Sequence, residues 1–255
     1  MANHVSEHYE HLAENYDAIW NHRPEYVDWM SEHVSALLAI RPGERIADLG
    51  SGTGLFLRHL LPSVSAATPV LAVDPSAAML TGLPQDARLL AVHATAEQFA
   101  AGSVPIPYDR LDVITVKEAV HHFSELSTTL AGLAGRLAEG GRLLIVTLPP
   151  KTGYPLFPAA YDRFAEWQPE PHDIAATLRA AGLGVDVTYA QYEVSIARDE
   201  WQSLVANRWM SVLSSFTDAE LARGLAEIKD LYTDDELTFT DRFAFILGTR
   251  EPSAE

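Results

Sequence analysis

R-I-A-D-L-G-S-G-T-G-L, Arg45 to Leu55, is a short apolar run that breaks into alternating glycines. Ile46, Ala47 and Leu49 are enough for a buried strand. Gly50, Gly52 and Gly54 then alternate with small polar residues, and Leu55, Phe56, Leu57, Leu60 and Leu61 recur at helical spacing up to Pro62. The pattern predicts a strand, a tight glycine turn and a helix. That layout brings a ligand against a helix N-terminus at the carboxyl end of a parallel strand. Glycine suits the turn because a side chain there would block the ligand.

The spacing is G-x-G-x-G. It is neither the G-x-G-x-x-G of a dinucleotide fold nor a P-loop, which needs a Lys-Ser/Thr pair. Asp48 stands two positions before the first glycine. A pyrophosphate would be repelled by that carboxylate, whereas an ammonium-bearing ligand would be attracted. The next apolar run, V-L-A-V-D, ends on Asp74. This is near the roughly 20-residue spacing at which nucleotide folds place a carboxylate on ribose hydroxyls. Glycine turn and two acids together predict a site for a nucleoside-type cofactor, and they disfavour a dinucleotide dehydrogenase.

D-L-G-S-G-T-G followed by V-D-P-S resembles motifs I and II of the class I S-adenosylmethionine (SAM)-dependent methyltransferases. The resemblance covers about residues 9–195 and the last strand. It implies an α/β fold, a Rossmann-like doubly wound seven-stranded sheet with an antiparallel last strand. It also implies SAM as cofactor, with S-adenosylhomocysteine (SAH) as product. Asp48 would hold the cofactor's ammonium, the Gly50-Ser51-Gly52-Thr53-Gly54 loop would admit its methionine part, and Asp74-Pro75 would meet the ribose. Met79 would pack on the adenine face or belong to the core, and Thr95, Ala96 and Glu97 would lie at the purine edge. E-N-Y-D-A-I-W and R-P-E-Y resemble an N-terminal lid, in which Tyr16 and Arg23 would close over the methionine end or simply pack and be solvated. Lys117 and A-V-H-H-F (Ala119–Phe123) resemble motif IV, near the transferable methyl.

The remaining elements follow the alternation of a parallel sheet. Residues 4–20 and 25–39 read as helices, the second with Val27, Met30, Val34, Leu37 and Leu38 on one face. Strands are expected at Val70–Val73, Arg88–His93, Leu111–Val116 and Arg142–Leu148. Helices are expected after Asp74 and over Leu126–Glu139, the latter closed by Gly140-Gly141. Beyond Leu148 the alternation breaks. Pro149 to Pro171 mixes prolines with Tyr154, Phe157, Tyr161, Phe164 and Trp167. After a helix at His172–Ala181 and a strand at Val185–Ser195 comes a long helical stretch, Asp199–Leu231. Its second part opens on Thr217-Asp218-Ala219-Glu220, a capping-box signal. Leu237–Thr249 is the last strand.

The expected organisation is therefore an N-terminal lid (1–40), a SAM-binding core (41–149), a cap insertion (150–171), more core (172–196), a helical cap insertion (197–236), and the last strand and tail (237–255). Of the cap, Tyr154, Phe157, Tyr161, Trp201, Arg208 and Trp209 are candidates to touch a substrate, against the alternative that they are the cap's own core.

Bulk properties narrow the class. The chain has 255 residues, 47% hydrophobic, with a formal charge of −17 and no cysteine. Such a surface repels phosphate backbones, so nucleic acid is not an expected partner. Without cysteine there is no disulfide and no thiolate metal site. No apolar run approaches the roughly 20 residues of a membrane span. The N-terminus lacks the basic and apolar regions of a signal peptide. The expectation is a cytoplasmic monomer or homodimer acting on a small molecule, without membrane.

His121 and His122 are the acid/base candidates, since a free imidazole titrates near neutrality; the alternative is that they cap or pack the turn. Adjacent histidines diverge and make a poor ligand pair, so no metal is expected. The aromatic cap and acidic exterior point to an apolar or aromatic metabolite. Oxygen, nitrogen and carbon acceptors are all compatible, and the N/D-P-P-Y signature of amide or exocyclic nitrogen is missing. Two further readings stay open: a SAM-binding protein that uses the cofactor's charge rather than its methyl, and a non-catalytic regulatory module that keeps the pocket.

Overall fold

The computed structural model describes residues 24–252. The expected helix over 4–20, with Tyr16 and Arg23, lies outside them. In chain order the elements are α1 (Pro24–Leu38), β1 (Ile46–Leu49), β2 (Val70–Asp74), α2 (Ala77–Thr81), β3 (Leu89–His93), α3 (Ala96–Ala100), β4 (Leu111–Lys117), α4 (Leu126–Arg136) and β5 (Leu137–Thr147). They continue with α5 (Pro158–Trp167), α6 (Pro171–Ala180), β6 (Gly184–Ala197), α7 (Arg198–Ala206), α8 (Asp218–Leu231) and β7 (Glu236–Thr249).

The seven strands form one sheet in the order β3-β2-β1-β4-β5-β7-β6. β1 through β5 are parallel, while β7 runs antiparallel to both β5 and β6. The order reverses between β1 and β4. This is the switch point at which doubly wound sheets leave a crevice beyond the carboxyl ends of their strands. Both faces are covered. Ile46, Val70, Val113 and Leu144 pack toward α1 and the α5, α7 and α8 group. Ala47, Leu71, Ile114 and Ile145 pack toward α3, α4 and α6. The strict alternation is the period-2 consequence of strand geometry. It puts Asp48 on the α1 face, beside Thr115 in register.

Three expectations are corrected. The run from Leu55 to Pro62 is two 3-10 turns, Leu57–His59 and Leu61–Ser63, not an α-helix. No side chain caps this run at Phe56, whereas the equally short α2 and α3 are capped by Ser76 and Thr95, and a short helix gains little from propensity alone. The helix from Leu126 ends at Arg136, and β5 begins at once with Leu137. Leu137 pairs Leu111, then the register slips, so that Arg142 pairs Val113; Gly140, at φ 69°, lies in that bulged segment. The 199–231 stretch is interrupted. Arg208 stands at φ 54°, followed by a 3-10 turn, Ser211–Ser215. Thr217 and Glu220 then form the reciprocal capping box that starts α8.

Candidate active site

The glycine turn is built as the sequence requires. Gly50, Gly52 and Gly54 have φ of 73°, 55° and 77°, a region costly for residues with a side chain. The amides of Gly50 and Ser51 donate to the Val73 carbonyl at 2.8 and 3.1 Å, which clamps the turn against the end of β2. A Cβ on Gly50 would lie 2.4 Å from the Cβ of Ala119, in the loop after β4. A Cβ on Gly52 would meet nothing within 4 Å. Gly50 is thus needed for packing, and Gly52 for open space in front of it.

Asp74 is 7% exposed. One oxygen accepts the Gly52 amide at 2.9 Å and the other the Ser76 amide at 2.8 Å. Burial raises its pKa, and those two amides oppose the shift. Each carboxylate oxygen has two lone pairs, so each retains capacity for one more donor. Ser76 is also the N-cap of α2, its hydroxyl accepting from the Met79 amide. This fixes Met79, which is buried and lines the same cavity.

Asp48 accepts a hydrogen bond from the Thr115 hydroxyl. Asp48 is partly buried and lines the cavity. Loss of solvent raises its pKa to about 6, against the lowering effects of Thr115 and the nearby Lys117. A carboxylate held near neutrality in a cleft marks a place prepared for a cationic group.

At the end of β4, Lys117 pairs with Glu118, and its ammonium lies 3.7 Å from the centre of the Phe56 ring. Glu118 is left-handed, with φ 50°, and donates its amide to the Val146 carbonyl at 2.7 Å. His121 and His122 follow on a 3-10 turn, their ring centres 4.0 Å apart. The structure corrects the assumption of an ordinary imidazole for His121. Burial lowers its pKa to about 4, although the charge of Glu118 pulls the other way. His121 is therefore neutral at physiological pH, an acceptor rather than a group poised between two charge states.

Beyond β3, Thr95 caps α3 in a capping box with Gln98. Thr95, Ala96 and Glu97 line the cavity beside Pro75. Glu97 is engaged already, since one of its oxygens accepts the Ser124 amide at 2.9 Å and the Ser124 hydroxyl at 3.0 Å. Burial pushes its pKa up, but these bonds and those from its own amide and Thr95 outweigh that and leave it lowered. Its carboxylate anchors the loop after β4, which leaves the backbone of the segment for any contact with a ring.

Apart from Gly54, which packs against Leu83, and Gln98, these residues line one cavity of about 930 Å³. Among the described residues, three buried polar side-chain atoms on its wall have no hydrogen-bond partner: the hydroxyls of Ser31 and Ser51, and Nδ1 of His121. Orphaned buried groups of this kind cost stability unless a ligand or water meets them. With the spare lone pairs of Asp74 and the open space at Gly52, the donor and acceptor set fits a SAM molecule. Among the described residues no group of three or more His, Asp and Glu could hold a metal.

The six cap candidates do not reach this cavity. Tyr154 and Trp201 pack on each other, on Trp209 and on Phe239. Phe157 packs on Phe216, and Tyr161 donates to the Tyr154 carbonyl. Arg208 is spent on the carbonyls of Leu213 and Phe216 and on Asp218. They are the cap's own core. The cap's contribution to the cavity is Glu166 and Trp167, at the end of α5. Sequence reading missed Ser31 and Trp167 as site residues. The signal for Ser31 was a serine inside the apolar stripe of α1; for Trp167, its place at the end of an aromatic helix. Glu118 lies in the Lys117–Phe123 segment after β4, which the sequence placed along the site.

Residues 47–143 match the family model of a methyltransferase domain. The ubiquinone/menaquinone biosynthesis C-methyltransferase UbiE of Ectopseudomonas mendocina is 29% identical over 132 residues, 51% of each chain. The uncharacterized methyltransferase YcgJ of Bacillus subtilis is 30% identical over 106 residues, 42% of this chain and 41% of YcgJ. This chain therefore spans about half the length of the curated relatives it matches, or less. The YcgJ crystal structure superposes with a TM-score of 0.59 at 19% identity, over 89% of this chain and 98% of that one. This chain is thus similar to a methyltransferase domain in sequence over residues 47–143, and to these structures in fold over most of its length. A more distant methyltransferase fold, phosphoethanolamine N-methyltransferase 2 of Haemonchus contortus in complex with phosphomonomethylethanolamine and SAH, gives a TM-score of 0.55. It is 15% identical, over 86% of this chain and 51% of that one. The methyltransferase sheet is the one seen here, with its last two strands antiparallel. No helix among the described residues is long and apolar enough to cross a membrane.

Proposed function

We propose that this protein transfers the methyl group of SAM to a small, apolar or aromatic acceptor. The observation that carries the reading is the pair of acids on either side of the glycine turn. Asp74 is pinned by two amides with acceptor capacity left over, and Asp48, partly buried, lines the cavity at the neighbouring strand end. When bound, SAM supplies a methyl group activated by a positively charged sulfur. The rest falls to this chain. Asp48 meets the ammonium and Lys117 the carboxylate. Asp74 accepts from the ribose hydroxyls, with Pro75 and Ser51 alongside. Met79 and the Thr95–Glu97 backbone flank the purine. Tyr16 and Arg23 belong to the lid over the methionine end. His121 is positioned as a neutral acceptor for a proton leaving the acceptor group, with His122 stacked beside it. The protein's main task is to align the reacting groups and exclude water. The lid (1–40) and the two cap insertions (150–171 and 197–236) close the core around them.

Asp74→Ala tests the reading. SAH affinity measured by calorimetry should fall by about 2–3 kcal/mol, the value of charge-assisted hydrogen bonds lost to a buried partner. Unchanged affinity would reject the ribose role. Conversion of SAM to SAH with candidate acceptors, read by mass spectrometry, then separates transfer from mere binding.

A further inference from the structure

The cavity changes character along one row of the sheet. Asp48 pairs Thr115 across β1 and β4, and Thr115 pairs Leu144 across β4 and β5. One step on, Lys117 pairs Val146. All five positions on the cavity wall face α1, so its floor runs from acid to hydroxyl to aliphatic. The acids at β1 and β2 take the cofactor. The far end, over β5, is walled by Val34, Phe56, Leu60, Leu144, Val146 and Trp167.

Into this apolar end projects one hydroxyl from α1. Ser31 is 6% exposed, lines the cavity, and its oxygen has no hydrogen-bond partner. It occupies the buried stripe of α1 with Val27, Met30 and Leu38, where helical periodicity asks for an apolar side chain. Helical serines commonly bond back to the carbonyl four residues earlier; this one does not. The charge around the cavity is negative: Asp48, Asp74, Glu97, Glu118 and Glu166 stand against Lys117, which Glu118 already holds. An acceptor carrying its own carboxylate or phosphate would meet a lining that is net negative, with its one lysine facing the cofactor end.

We propose that the chamber between α1, the turns after the glycine loop, β5 and the end of α5 is the acceptor subsite. It takes an uncharged ring bearing a hydroxyl or carbonyl, and Ser31 is the residue that recognises that polar group. The proposal rests on the cofactor reading above and adds the acceptor's chemistry to it. Trp167 and Phe56 supply the aromatic walls, and Glu166 at the mouth discriminates against anions.

The test uses the full chain saturated with SAH and three probes of one ring size: p-cresol, toluene and 4-hydroxybenzoate, titrated by calorimetry or ligand-observed NMR. The expected result is binding of p-cresol at least about tenfold tighter than 4-hydroxybenzoate. Ser31→Ala should weaken p-cresol by about three- to tenfold, the range of one hydrogen bond. It should leave toluene and SAH unchanged, and Ser31→Thr, which keeps the hydroxyl, should restore p-cresol. Equal binding of 4-hydroxybenzoate, equal losses for p-cresol and toluene, or no probe binding to the SAH complex would overturn the subsite while the cofactor reading stands. Failure of SAH itself to bind would overturn the cofactor reading and the subsite with it.

Discussion

Asp48 stands well away from the ordinary state of its side chain. Its pKa, raised to about 6 by burial, lies above the 3.8 of a free side chain. Between those values the folded chain holds a proton that the unfolded chain has released. Stability therefore falls as pH rises through this window, by on the order of 3 kcal/mol in all. Asp48→Asn should flatten that dependence in urea unfolding between about pH 4 and 7; an unchanged slope would place the titrating group elsewhere. The ligand side follows from the same ionisation. An ammonium against Asp48 favours the charged form, so SAH binding should release a proton below about pH 6, with affinity rising by up to about tenfold per unit and levelling above it. Calorimetry in two buffers of different ionisation enthalpy reads that proton directly, and its absence would contradict the contact. Asp48 and Asp74 were legible in the sequence because strand register alone places them. The state of His121 was not, since burial, which lowers its pKa to about 4, depends on what packs over it.

At the scale of the element, the glycine turn separates fold from function. Gly50→Ala combines a positive φ with a Cβ at 2.4 Å from Ala119, and both costs fall on folding. Gly52→Ala has the φ penalty, about 1–2 kcal/mol, but no clash; its methyl enters the cavity. The expected outcome is that Gly50→Ala melts well below the wild type. Gly52→Ala should stay folded, a few degrees lower, and lose at least about tenfold in SAH affinity, its methyl taking space the ligand needs. Equal melting temperatures for the two variants would contradict the division. The strands and their glycine connections were readable here because period-2 burial and positive φ leave strong marks. The turn after Gly54 was misread as an α-helix because helical spacing over seven residues does not distinguish i+3 from i+4 bonding. The aromatic cap was read correctly as a packed unit and overvalued as a substrate wall. Tyr154, Trp201 and Trp209 satisfy one another, and only the end of α5 reaches the cavity.

The whole molecule is a sheet with an acidic exterior. A formal charge of −17 on 255 residues repels itself in the folded state. Screening that repulsion with added salt, up to about 0.5 M, should raise the melting temperature; a flat or falling trend would show the charges to be balanced locally. The same field deters anionic ligands, consistent with a cofactor that presents cationic groups to Asp48. The fold places every part of the cavity at the strand ends around the switch between β1 and β4, where four segments distant in sequence meet. Those meetings, of α1 with β5 above all, are what a linear reading does not show. The most direct test of the account is a crystal structure with SAH bound. It should place two ribose hydroxyls within hydrogen-bond distance of Asp74, the amino group facing Asp48, and the purine between Met79 and the Thr95–Glu97 segment. A ligand lying elsewhere, or those acids turned away from it, would contradict the account.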